Sequence, residues 1–126
     1  MSTIKADTLS NLAGTQTVPV STVAQGSAKA WVNFNGTGTV AIRASFNVSS
    51  ITDNGVGNYT VNFTNAMANA NYTFTGSATD DNTAIRIVYE SGTYGQHRTT
   101  SACRFVVVNA GGATGDPQGV YATFFG

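Results

Sequence analysis

The sequence predicts an all-β protein, an antiparallel β-sandwich or jelly roll with an extended N-terminal arm. Apolar and polar residues alternate with period two in a series of short runs, which is typical of strands with one buried and one solvent-facing side. Turns rich in glycine and asparagine separate these runs. No segment after Leu12 has the periodicity of a helix. About seven or eight short strands joined in this way indicate a sandwich or a jelly roll.

The clearest strand signals lie in the first half of the sequence. Apolar side chains alternate with polar ones over residues 30–35, 42–48 and 59–64, and turns containing glycine separate the three runs. Asn-Gly and closely spaced glycines supply the positive φ angles that tight hairpins need. The pattern therefore predicts an antiparallel meander. Its buried side is expected to carry Ala30, Val32, Phe34, Ile42, Ala44, Phe46, Val48, Tyr59, Val61 and Phe63.

The strand pattern continues through the second half of the sequence. Further strands are expected at residues 72–77, 84–89, 102–108 and 120–125, with long loops at 90–100 and 109–119. Apart from Arg104, residues 102–108 are apolar on both faces, and both faces of residues 120–125 carry bulky side chains. One face of each strand fills the core. The other face predicts contact with a further copy of the chain.

Residues 1–27 differ in composition from residues 28–126, because they have few apolar side chains and no aromatic one. Residues 6–12 favour a short helical segment, and Pro19 argues against a continuing helix. Two interpretations remain: a flexible leader, or an extended arm that becomes ordered only against a docking partner. We favour the arm. The predicted organisation is an attachment arm at 1–27 followed by one knob domain at 28–126.

The charge balance argues against several classes of partner. Only 10% of the residues are charged, and six basic residues balance six acidic ones. Neither nucleic acid nor an anionic membrane is therefore an expected partner. The sequence opens without an apolar segment of the kind that secretion or membrane insertion requires, so we expect neither. A surface poor in charge and rich in Asn, Thr, Ser and Gly is typical of proteins that assemble into particles or bind polysaccharide.

Residues with metal-binding or catalytic chemistry are few. The chain has one histidine, His97, and one cysteine, Cys103, so neither an intrachain disulfide nor a usual zinc site is expected. We expect Cys103 to be a buried core residue. Three copies of His97 on a trimer axis, or Asp80 and Asp81 in one loop, are alternative metal ligands. The favoured interpretations are an ordinary loop histidine and a solvated acidic turn.

No nucleophile with the context of a catalytic triad is present. Four acidic residues fall in loops or at strand ends, namely Asp80, Asp81, Glu90 and Asp116, which leaves a glycosidase site as an alternative. The prediction is a protein without enzyme activity and without a cofactor.

Two loops gather side chains suited to sugars, which aromatic faces and polar hydrogen-bonding groups hold. The loop at 90–100 is the first choice and the loop at 109–119 the second, since binding residues concentrate on loops of rigid scaffolds. The candidate ligand contacts are Tyr94, Gln96, His97, Arg98, Asn109 and Asp116. Replacing Tyr94 and Arg98 with alanine is expected to weaken binding without affecting folding. For Trp31, packing against a neighbouring subunit is favoured over ligand stacking.

One stretch also resembles a known family. The run AKAWVNFNGTGTVAIRASFNVSSITDNGVGNYTVNF, followed by the spacing Phe63, Met67 and Tyr72, resembles a segment of bacteriophage tail fibre and receptor-binding proteins. The resemblance covers residues 28–72. The opening STIKADTLSN is similar to the start of many phage virion proteins.

The resemblance implies a homotrimeric virion protein, a tail fibre or its distal knob. Such a protein attaches to the host cell by multivalent binding of a surface glycan, and it joins other virion proteins through its N-terminal arm. A capsid decoration protein, which clamps capsid subunits with the same trimer and arm, is the alternative. A small depolymerase is a third interpretation.

Overall fold

The computed structural model describes residues 1–80, 86–90, 92 and 96–126. Its elements are β1 (Thr8–Ser10), β2 (Thr17–Pro19), α1 (Val20–Gly26), β3 (Ala30–Asn35), β4 (Ala41–Phe46), β5 (Val48–Asp53), β6 (Asn58–Phe63), β7 (Thr73–Thr79), β8 (Arg86–Tyr89), β9 (Ala102–Asn109) and β10 (Gly119–Phe125). Strands dominate, and each strand pair in these ranges is antiparallel. The prediction of an all-β, antiparallel protein is confirmed.

The longer strands of the described ranges form two four-stranded sheets. Sheet A has the order β4-β3-β10-β7, and sheet B has the order β5-β6-β9-β8. The short strands β1 and β2 pair only with each other. The two central strands of sheet A, β3 and β10, pair with each other although they are far apart in the sequence. Sheet A therefore depends on contacts between residues far apart in the chain.

The inner faces of the two sheets share one aromatic core. The predicted buried residues of β3 and β6 are confirmed, because Phe34 and Tyr59 are fully buried with their apolar neighbours. The Phe34 and Tyr59 rings meet edge to face with centroids 5.1 Å apart. Phe74 stacks against Phe105 at 5.5 Å and against Phe124 at 5.8 Å. Edge-to-face and offset-stacked rings are the favoured aromatic arrangements, so the core is held by packing of specific geometry.

The predicted strand at 42–48 is confirmed only as far as Phe46, where β4 ends, and the predicted meander is wrong. The chain turns at Asn47, which has φ 55°, and passes from β4 in sheet A to β5 in sheet B. Asparagine adopts left-handed φ more readily than most residues. Its side chain fixes the corner, since Nδ2 donates to the Lys29 carbonyl at 3.0 Å and Oδ1 accepts from the Asn65 N–H at 2.7 Å.

The predicted burial of β4 is also wrong. Every residue of β4 is exposed, including Ile42 and Phe46, which were expected to face the core. The strand lies at the edge of sheet A, and a bulge in its pairing shifts the register between Asn33 and Phe34. A bulge bends and twists an edge strand. The apolar residues of β4 therefore remain at the surface of the single chain.

The leading segment contains secondary structure that the sequence pattern did not predict. Residues 6–12 include β1 where a helical segment was expected, and α1 follows Pro19. Proline suits the start of a helix because its φ is already fixed near the helical value. No residue of α1 is buried, and none of residues 1–27 is. Their role as an attachment arm stays a prediction.

Candidate functional site

The predicted ligand loop at 90–100 is only partly described. Tyr94 lies outside the described residues, as does Asp81 of the predicted acidic turn. Gln96 is exposed and His97 is half-buried. The backbone carbonyl of His97 accepts the N–H of Arg104 at 2.9 Å, which ties this part of the loop to β9.

Arg98 is engaged within its own chain. Its Nε lies 2.8 Å from Glu90 Oε2, and its Nη1 donates to the Tyr72 carbonyl at 2.8 Å. Its guanidinium carbon is 5.9 Å from the centroid of the Tyr72 ring. The side chains of Arg98 and Glu90 are only 14% and 9% exposed. These contacts favour a structural role for Arg98 over contact with a ligand.

Asn109 and Asp116 shape backbone turns. Asn109 Oδ1 accepts the N–H groups of Gly111 at 2.9 Å and of Ala113 at 3.0 Å. Asp116 Oδ1 accepts the Gly57 N–H at 2.6 Å and the Tyr59 hydroxyl at 2.8 Å. Burial, the Asp116 hydrogen bond and the charge of Asp116 raise the pKa of the Tyr59 hydroxyl above its usual range. The two side chains thus hold the loop against the body of the protein.

The two predicted ligand loops lie at opposite ends of β9. The backbone of Arg98 pairs with that of Cys103, near the start of this strand, in an isolated antiparallel β-bridge. Asn109 is the last residue of the strand. A strand rises about 3.3 Å per residue, so the two positions are roughly 20 Å apart. The structure therefore does not bring the described candidates of the two loops together, and one small ligand could not touch both Arg98 and Asn109.

The predicted metal alternatives gain no further ligands. Among the described residues, no three His, Cys, Asp or Glu side chains lie close enough together to hold a metal ion. Asp80 forms an ion pair with Arg86. Asp80 thus has a cationic partner in the chain itself.

Cys103 is fully buried, as predicted. Burial raises the pKa of its thiol to about 11, and the nearby Glu90 carboxylate adds to the rise, while the hydrogen bond with Tyr72 and the Arg98 charge oppose it. Because the thiolate is the reactive form, the native thiol should be inert toward alkylating reagents at neutral pH.

We expect the raised pKa of this thiol to make the free energy of unfolding decrease with increasing pH in the alkaline range. The unfolded thiol loses its proton near pH 8.5, whereas the folded one keeps it to about pH 11. The unfolded state then binds fewer protons, so the free energy of unfolding should fall by up to about 1.4 kcal/mol per pH unit in this window. Urea denaturation of wild type and Cys103→Ala between these pH values measures the slope. An equal slope in both proteins would contradict the assignment to Cys103.

The solvent-facing side of sheet A, which we call the outer face, carries a different set of side chains. Strand register places Trp31 between Phe46 and Thr123, and it places Tyr121 between Asn33 and Ser77. Trp31 is 40% exposed and Tyr121 is 37% exposed. The edge strand β7 adds a row of exposed hydroxyls, which are Thr73, Thr75, Ser77 and Thr79. Aromatic rings thus lie beside hydroxyl and amide groups.

Two depressions of about 280 Å³ each lie on the outer face, and Tyr121 lines both. The first is lined by Thr75, Gly76, Ser77, Tyr121 and Thr123. The second is lined by Asn33, Arg43, Thr79, Gln118, Gly119 and Tyr121. In the second, Asn33 Oδ1 is buried and has no hydrogen-bond partner in the described part of the chain.

The sequence contains a signal for this face that the loop-centred interpretation passed over. Trp31 and Asn33 alternate with the buried residues of β3, and Tyr121 and Thr123 lie within the bulky pattern of β10. The pattern of each strand, taken separately, indicates only that one aromatic side chain, Trp31 in β3 or Tyr121 in β10, faces outward. The pairing of β3 with β10 brings them together.

Comparisons of the chain with family models, with curated proteins and with solved structures find no match. The resemblance to phage tail fibre proteins therefore stays a prediction. Among the helices of the described ranges, none is long and apolar enough to cross a membrane.

Proposed function

We propose that this chain is a phage virion protein, a tail fibre or its distal knob, that attaches the particle to a glycan on the host surface. The observation that carries the proposal is the contrast between two parts of the chain. Residues 28–126 contain two β-sheets with a shared aromatic core, whereas no residue of the leading segment, 1–27, is buried. The resemblance over residues 28–72 and the low charge add support. In this proposal the two sheets form a β-sandwich knob, and residues 1–27 join other virion proteins.

The same proposal includes a homotrimer. Ile87 and Tyr89 are 46% and 43% exposed on the outer side of sheet B. Register places them beside Val108 and Val106, which are only 5% and 7% exposed, so Ile87 and Tyr89 are the exposed part of this apolar patch. Contiguous exposed apolar surface marks contact sites in soluble proteins. We propose that neighbouring copies cover Ile87 and Tyr89, whereas Val106 and Val108, on the second apolar face of β9, are already buried within the single chain.

Attachment by such a knob depends on many weak contacts. Three binding sites on each fibre, and several fibres on each particle, raise the effective concentration of the later sites once the first is occupied. A modest affinity of each single site for the glycan is then sufficient for attachment, and a shallow site on the protein surface can supply it.

We expect the purified protein to bind host cells and to have the mass of a trimer by light scattering. Deletion of residues 1–27 should leave a folded β protein that still binds cells but no longer joins the particle, because the deleted segment contributes no buried residue. Circular dichroism, cell binding and electron microscopy of labelled particles measure the three properties. A wild-type protein that binds no host cells and is seen on the capsid would replace this proposal with a capsid decoration role.

A further inference from the structure

We propose that the outer face of sheet A, and not the loops at 90–100 and 109–119, is the glycan site, and that it takes an uncharged oligosaccharide chain. The inference rests on the proposed attachment function and adds the location of the site and the class of ligand. Its central residue is Tyr121, which lines both depressions of this face.

The Tyr121 ring is held along the surface of the sheet. Its hydroxyl lies 3.2 Å from Thr79 Oγ1, within hydrogen-bonding distance. The ring covers Gly119, where an added Cβ would lie 2.6 Å from the Tyr121 hydroxyl oxygen and 3.0 Å from Cζ. The absence of a side chain at Gly119 therefore lets the ring lie down. A ring fixed in this way offers a flat apolar surface to the C–H face of a sugar without further loss of side-chain freedom.

Polar groups of matching chemistry surround the ring. Threonine and serine hydroxyls both donate and accept hydrogen bonds, as sugar hydroxyls do. Asn33 Oδ1 is a buried acceptor without a partner among the described residues. Because this atom is buried, the Asn33 amide would have to turn toward the depression before a ligand hydroxyl could pair with it and recover the free energy cost of the unpaired acceptor. Two depressions on either side of one ring suit consecutive units of a chain, and each is near the lower limit of roughly 300 Å³ for small-molecule pockets.

The charges of the site define the ligand further. Among the described residues, Arg43 is the one charged residue that lines either depression, and its Nη1 donates to the Phe34 carbonyl at 3.3 Å. No carboxylate lines them in the described part of the chain. A cationic ligand would therefore gain nothing here. Arg43 keeps its charge, but it lines only the second depression and is exposed, so its attraction for an anionic ligand is weakened by solvent. An uncharged polyhydroxylated chain fits this set.

A second copy of the chain fits the outer face less well than a glycan does. The cores of protein interfaces are depleted in serine, and the Thr75 and Ser77 hydroxyls of the β7 row would need partners if they were buried. A sugar supplies such partners on almost every carbon atom. The apolar patch around Ile87 is better suited to a neighbouring subunit than the β7 side of the outer face, because it exposes an aliphatic side chain next to an aromatic one. The exposed pair Trp31 and Phe46 lies on the β4 side of the outer face and lines neither depression.

The test uses the 126-residue chain on an array of short uncharged oligomers of glucose, galactose, mannose and N-acetylglucosamine, with sialylated and uronic acid oligomers beside them. We expect wild type to bind at least one uncharged oligomer. Tyr121→Ala should weaken that binding about tenfold, the upper range for one aromatic contact. Tyr121→Phe keeps the ring and should retain most of the binding. Gly119→Ala should weaken binding as much as Tyr121→Ala, because the new Cβ displaces the ring.

Each variant is also examined by light scattering and denaturation, and for binding to host cells. Equal binding by wild type and Tyr121→Ala would overturn the outer-face site and leave the attachment function standing. Binding to host cells and only to acidic oligomers would overturn the uncharged ligand class. Loss of the trimer in Tyr121→Ala would show that the face is a subunit contact, which also overturns the inference. A wild-type protein that binds neither cells nor any oligomer contradicts both proposals.

Discussion

Gly57→Ala is expected to lower the free energy of unfolding by about 4 kcal/mol. Gly57 has φ +64°, and an added Cβ would lie 2.6 Å from the Val107 carbonyl oxygen and 2.8 Å from two backbone atoms of Gly115. Backbone atoms cannot move aside as the end of a flexible side chain can. The left-handed conformation costs about 1–2 kcal/mol for a residue with a Cβ, and overpacking adds about 1–3 kcal/mol. The shift would also strain the hydrogen bond from Gly57 to Asp116.

Gly38→Ala is the matched control. Gly38 has φ +65°, but nothing lies within 4 Å of its added Cβ. This variant should lose only the conformational term, about 1 kcal/mol. Urea denaturation of the three proteins then separates backbone conformation from close approach. Equal losses for the two variants would show that the contact between Gly57, β9 and the loop at 109–119 does not constrain the fold.

Arg98→Met is expected to cost about 3 kcal/mol of unfolding free energy. It removes the cation beside Glu90, whose carboxylate is almost completely buried and whose Oε1 already lacks a hydrogen-bond partner in the described ranges. Removing one member of a buried ion pair typically costs about 3–5 kcal/mol because a charge is left uncompensated. The partial exposure of Arg98 places the loss at the lower end of that range.

Two further variants test the cause of that loss. Adding Glu90→Gln to Arg98→Met removes the orphaned charge, so the double variant should be more stable than Arg98→Met alone. Arg104→Met is the control, since Arg104 Nε donates to the neutral Asn58 Oδ1 at 2.9 Å, and it should cost about 1 kcal/mol. A double variant no more stable than Arg98→Met would rule out the uncompensated charge as the cause.

This ion pair changes how the predicted ligand loop has to be tested. The sequence indicated that Tyr94 and Arg98 could be replaced by alanine without affecting folding. The structure gives Arg98 an ion pair with Glu90 and a backbone β-bridge to Cys103. A loss of binding in that variant could therefore come from a damaged fold as well as from a lost ligand contact. The exposed Gln96 is the better position for a loop variant.

The parts of the fold that depend on local pattern were predictable. Alternation placed β3 and β6 correctly, and it put Phe34 and Tyr59 on the buried side. The error at 42–48 has a local cause, because alternation runs without a break through Asn47. Only the left-handed φ of that residue separates β4 from β5, and hydrophobic pattern carries no information about it.

The alternation indicated outward aromatic residues on β3 and β10 separately, but the outer face as one surface was not predictable, because strand pairing creates it. Trp31 and Tyr121 become neighbours across the sheet only when β3 lies against β10, and no short-range signal encodes that choice. The same limit applies to Arg98, whose partner Glu90 lies at the far end of the loop. The polar composition of the loop predicts that its side chains are exposed to solvent. Whether Arg98 and Glu90 are instead buried as an ion pair depends on how the loop folds back on itself.

The central place of β10 in sheet A also bears on how the chain folds. Because β10 separates β3 from β7, sheet A cannot assemble on the ribosome before β10 has emerged. Until then β3 and β7 each present an unpaired edge of the kind that recruits other chains into aggregates. A topology with pairing this distant also belongs to the slow class, which folds in milliseconds to seconds. The four strands of sheet A can therefore pair only after β10 has been synthesised, and a product truncated before β10 should be recovered in the insoluble fraction of the cell.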